Sequence, residues 1–208
     1  PRAKNISIEL FLTRGNVDID LHWRLLRDGR QRGEDVDGML DRRRRIAGHW
    51  MLDADDALIL LLVHPAFTKH LGSWEMGLHR VADIVAWLQA QPFDWDSVRT
   101  RLEENGVRTA AWATLRWVAM LTHPNTPSQL TSMLTDVEPG PVRRSWIDRW
   151  LSNDLSARTS NVHWLRLLIF SLTLHDNLAG AGRAIAGRYG AHRRRAADFA
   201  AFTELLGE

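Results

Sequence analysis

The sequence contains no cysteine, which excludes disulfides and thiolate metal sites and leaves the redox compartment unmarked. Lysine is almost missing as well: among 27 basic residues only Lys4 and Lys69 are lysines. Arginine does not titrate near neutrality, so the pI reaches 9.7 while the formal charge at pH 7 is only +2. A protein that coats nucleic acid carries a larger excess. No G-x-x-x-x-G-K-[ST], G-x-G-x-x-G or G-x-S-x-G segment occurs, which removes the P-loop, the dinucleotide fingerprint and the nucleophile elbow. No apolar run is long enough to span a bilayer, and "VHWLRLLIFSLTLH" is interrupted by Arg166. No membrane partner and a cytoplasmic location are therefore the expectations. The chain starts at Pro1 directly ahead of a strand-like segment, as expected of a piece cut from a longer polypeptide.

What is present is ordinary globular composition, 45% hydrophobic and 25% charged over 208 residues, enough for one well-filled core. The opening "NISIELFLTRGNVDIDLHW" predicts two antiparallel strands, Ile6 to Leu12 and Val17 to Trp23, turning at Gly15 and Asn16. Residues 1–26 thus form a β-hairpin. Residues 27–50 are rich in Gly, Asp and Arg and read as a polar linker with one short helix. Residues 51–208 carry helical periodicity. Asp53 is the expected N-cap of the first helix, with Asp56 favourable to its dipole and Pro65 a kink or break. Trp74, Leu78, Val81, Val85 and Leu88 make a helical stripe on the next, and Gly106 stops the one after "QPFD". Further helices are expected near 127–135, 142–152, 161–175, 178–188 and 191–206. The predicted fold is mainly α, a hairpin followed by a bundle of seven or eight helices.

Four groups of residues bear on chemistry. In "GNVDIDLHWRLL", Asp18, Asp20 and His22 occupy every second position. On a strand they share a face, which suits a metal or a proton transfer and also any half-exposed edge. In "HPAFTKHLGSWEMGLHRVADI", His79 and Asp83 stand four apart on one helix, where a carboxylate orients an imidazole. His64, His79 and Asp83 read as structural or orienting residues. The doublet His175-Asp176 raises metal-dependent phosphohydrolase chemistry, against a plainer role as helix-end polar groups. The runs Arg42 to Arg45 and Arg193 to Arg195 could meet phosphate or RNA, or be solvated faces.

Asp20-Leu21-His22-Trp23, followed by His64 and His70, by Leu78 to Ile84 with Asp83, and by Phe93-Asp94-Trp95, resembles an uncharacterised bacterial nucleotidyltransferase family. That family belongs to the DNA polymerase beta-like superfamily, and the likeness covers roughly residues 6 to 125. The resemblance implies that the hairpin is a remnant of a nucleotidyltransferase sheet, in which three carboxylates hold two Mg²⁺ ions. Asp20 matches the third carboxylate, as metal ligand and catalytic residue, with Asp18 beside it. No G-S…D-x-D block stands ahead of Asp18 to supply the other two. His22, Lys69, His70 and Arg80 are the implied contacts to substrate. The implied partners are a nucleoside triphosphate and an unknown acceptor, with nucleic acid as a further candidate. The expectation is the C-terminal part of a nucleotidyltransferase, inactive by itself. The alternative is a non-catalytic helical module that binds a protein or a nucleic acid.

Overall fold

The computed structural model describes residues 5–6, 9–14, 17–22, 26, 30–32, 36–69, 71, 74–90, 92–124, 126–152 and 164–187. For the strands up to residue 22, and for 36–37, 69, 74–78 and 164, it describes the backbone. Strands β1 (Asn5–Ile6), β2 (Glu9–Arg14) and β3 (Val17–His22) form an antiparallel sheet in that order. In β2–β3, Leu12 faces Ile19 and Phe11 faces Asp20 across the ladder. This is the hairpin that the alternation predicts. The first strand is divided, however, because Asn5 and Ile6 fold back to pair with Leu10 and Glu9. No Gly or Pro marks that reversal, so a period-2 pattern runs through it unseen. Gly15, Asn16 and Trp23 lie outside the described residues.

The segment expected as a linker holds α1 (Val36–Asp41) and most of a second hairpin, β4 (Arg44–Ile46) with β5 (His49–Met51), which ends one residue beyond it. Its two-residue turn is Ala47-Gly48, at φ of 49° and 87°. Two positive φ values give the turn whose twist matches paired strands. Glycine adopts it freely, whereas Ala47 does so at a cost of about 1–2 kcal/mol.

Eight helices follow among the described residues: α2 (Ala54–Lys69), α3 (Trp74–Ala90), α4 (Trp95–Asn105), α5 (Arg108–Thr122), α6 (Ser128–Asp136), α7 (Pro141–Ser152), α8 (Trp164–Thr173) and α9 (178–187). The mainly helical fold expected from periodicity is the fold observed. The helix expected near 191–206 lies outside the described residues. At the centre, α2 packs against α5, and both are buried almost all round. Helices apolar on every side belong inside a domain. Leu58, Leu62 and Phe67 of α2 meet the core that Ala110, Leu115 and Val118 of α5 help to build. Pro65 sits inside α2 without ending it. In the turn it disturbs, the Leu62 carbonyl accepts a hydrogen bond from the Thr114 hydroxyl at 2.6 Å.

Local rules fix the ends of α4. The Asp94 carboxylate accepts from the Asp96 and Ser97 amides. Gly106 takes the left-handed conformation at φ 68°, and the Val107 amide donates back to the Leu102 carbonyl. Asp53 caps α2, its Oδ1 accepting from the Asp55 amide at 3.1 Å.

Candidate functional site

The site begins on β3, whose backbone holds positions 18, 20 and 22 at alternate places along one strand. Across the ladder these positions face Thr13, Phe11 and Glu9. The strand ends at His22, and Leu26, four residues on, is buried in the core. Leu26 and His64 line the same small hollow between α1, α2 and the loop after α4. Four residues of chain reach at most about 14 Å, which bounds how far the end of β3 can stand from this hollow. Two further ties secure this connection. Arg30 Nη1 donates to the Phe67 carbonyl at 2.7 Å and its guanidinium lies over the Phe67 ring. The Arg32 amide donates to the Asn105 carbonyl at 2.9 Å.

Around this strand end the expected residues separate into groups. His64 is half-buried on α2, and the Thr68 hydroxyl donates to its carbonyl at 2.6 Å and lies 3.3 Å from its Nδ1. Lys69 is the last residue of α2. The side chains of Asp18, Asp20, His22 and Lys69, and the whole of His70, lie outside the described residues. Arg80 is half-buried on α3, whereas His79 and Asp83 on the same helix are exposed. A buried carboxylate–imidazole tie is therefore not available to that pair, which leaves them a surface role. Among the described residues, no group of three or more His, Asp or Glu side chains could hold a metal ion.

The His175-Asp176 doublet has a structural account instead. Asp176 Oδ1 accepts from the Thr109 amide at 2.7 Å and the Thr109 hydroxyl at 2.8 Å, and Oδ2 accepts from the Arg108 amide at 3.1 Å. It caps the N-terminus of α5, where unpaired amides attract a carboxylate. His175 is 2% exposed and stands against Phe67, ring centroids 5.1 Å apart. Burial, then the charges of Arg30, Arg183 and Arg143, pull its pKa down to about 4. At neutral pH it is an uncharged core residue. A cavity of about 290 Å³ lies between α5, α6 and α7, but each charge in its wall is matched, Arg116 by Asp148 and Arg144 by Glu138.

The sequence carries little warning of the ionic cluster at the start of α2, the densest among the described residues. Asp56 is fully buried and receives Arg42 through two bonds, 2.9 and 3.0 Å, and Arg101 Nη1 at 2.7 Å. Arg44 Nε lies 2.6 Å from Asp53 Oδ2, and the Asp94 amide donates to Asp55 Oδ1. Arg101 stands 45 residues from Asp56, so no local pattern could announce the pair.

Among known proteins, the model of a family described as an uncharacterised nucleotidyltransferase matches residues 4–123. The match runs from the first strands through α5. No curated protein and no solved structure matches the chain.

Proposed function

The chain belongs to the uncharacterised nucleotidyltransferase family, and from that membership we propose that it takes part in nucleotidyl transfer from a nucleoside triphosphate. In that reaction an acceptor nucleophile attacks the α-phosphorus, the bond to the pyrophosphate oxygen breaks, and pyrophosphate leaves. The observation that carries the reading is the family match across β3, where Asp18 and Asp20 stand at alternate strand positions. Two carboxylates so spaced are a hard-oxygen donor set suited to Mg²⁺. Asp20 would hold the ion with Asp18 assisting, and when bound it supplies charge neutralisation on the triphosphate. Lys69 at the end of α2 and Arg80 on α3, with His22 and His70, are the proposed contacts to phosphate or acceptor.

No G-S…D-x-D block precedes β3 in these 208 residues. A two-metal site needs all of its carboxylates, so we expect these residues alone to leave triphosphates intact with Mg²⁺ or Mn²⁺. The test of the site is metal affinity. Mn²⁺ titration, followed by electron paramagnetic resonance, should show weaker binding by Asp20→Asn than by the parent chain, each extended by a segment carrying the missing block. Equal affinity would remove Asp20 from the metal site and favour a non-catalytic helical module.

A further inference from the structure

The run Arg42-Arg43-Arg44-Arg45 divides by parity. Arg42 and Arg44 pair with the buried Asp56 and Asp53, Arg44 with most of its side chain in solvent. Arg45 on β4 and Arg43, the residue ahead of the strand, are exposed instead. Arg45 lies directly across the ladder from Trp50, and Arg43 places its guanidinium 4.9 Å from the centre of the Trp50 ring. One face of the β4–β5 hairpin is therefore a tryptophan flanked by two arginines. Trp50 is 63% exposed, and both arginines are exposed. Arg43 spends one N–H on the Leu40 carbonyl and Arg45 one on the Gly48 carbonyl. Among the described residues, no carboxylate pairs with either. Asp53, the cap of α2, and Asp56 in its first turn hold the base of the hairpin through the other two arginines.

We propose that this face binds single-stranded nucleic acid. A base stacks on the Trp50–Arg43 platform, and phosphates on either side meet the free N–H groups of Arg43 and Arg45. Such contacts do not read the sugar, so RNA and DNA strands bind alike. The composition of the face argues against a membrane surface. The apolar residues Ile46 and Met51 lie on the opposite face with His49 and Arg44, and the Trp50 side offers cations without an apolar partner to insert. The inference does not rest on nucleotidyl transfer and needs no metal.

The test is fluorescence anisotropy of the full chain with labelled oligouridylate and oligothymidylate of about ten nucleotides, in EDTA. Both oligomers should bind, Trp50→Ala should weaken binding by about 5- to 100-fold, and Trp50→Phe should retain most of it. Replacing Arg43 and Arg45 together by Gln should reduce the slope of log affinity against log salt by about 1.4. Arg149→Gln, an exposed arginine on α7, should leave both quantities unchanged. No binding at about 50 mM salt, or equal binding by Trp50→Ala, would overturn the proposal. So would Trp50-dependent binding to phosphatidylserine vesicles without binding to either oligomer. Failure here leaves the Mn²⁺ result at Asp20 untouched, and the reverse holds too.

Discussion

His175 shows how one buried side chain makes stability depend on pH. Its folded pKa is pulled to about 4 from an ordinary 6.5, so between those values the unfolded chain binds a proton that the folded chain refuses. Stability therefore falls as pH drops through that interval, by on the order of 3 kcal/mol in all. His175→Leu should flatten the curve of unfolding free energy against pH there, as measured by urea denaturation. An unchanged slope would place the titration elsewhere. A Cβ added at Gly180 would stand 3.3 Å from His175 Cβ, so the glycine is what lets the chain pass so close to the ring. Asp56 is the ionic counterpart. Asp56→Ala takes the buried carboxylate away from Arg42 and Arg101, leaves Arg101 its longer 3.6 Å contact to Asp55, and opens a void. Breaking a buried pair in this way costs about 3–5 kcal/mol, and the urea midpoint should show it.

The elements differ in how far local sequence specifies them. Asp94 and Gly106 bracket α4 within a dozen residues of chain, and both ends are legible from residue type and spacing alone. Gly106→Ala should cost about 1 kcal/mol or more, because φ of 68° disfavours a side chain and a Cβ there meets Arg32 Nε at 3.3 Å. A thermal melt matching the parent would mean that the helix end rearranges freely. The β4–β5 hairpin is hidden for the opposite reason. Its strands are three residues each and exposed along their length, so no apolar alternation exists to reveal them. Its turn is Ala-Gly rather than Asn-Gly or Asp-Gly. The β2–β3 hairpin is legible from period two alone, since Asp18, Asp20 and His22 repeat at that spacing. What those side chains touch depends on neighbours that spacing does not specify. The role of Asp176 cannot be read locally either, because Thr109, which it caps, is 67 residues away.

At the scale of the molecule, the family match stops at residue 123, the residue after α5, yet the core does not. Leu130 and Met133 of α6, Ile147 and Leu151 of α7, and Phe170 of α8 belong to the same buried cluster as Leu62 and Leu115. Trp150 and Phe170 stack at 4.4 Å within it, and His175 and Asp176 close over Phe67 and the start of α5. Residues beyond the matched region thus cover the two helices that the matched region most needs buried. A chain ending at residue 123 would expose that side of α5 and leave the Arg108 and Thr109 amides without their carboxylate. Each fully buried side chain of this kind contributes about 1.5–3 kcal/mol, whereas whole domains are stable by only about 5–15 kcal/mol. Residues 1–123 alone should therefore fail to unfold cooperatively, giving a broad thermal transition by circular dichroism where the full chain gives a sharp one. The milder variant Asp176→Ala, which removes only the cap, should keep the sharp transition and lose about 1–3 kcal/mol. A sharp transition for residues 1–123 would show instead that the matched region carries a core of its own, with α6–α9 as a separable addition.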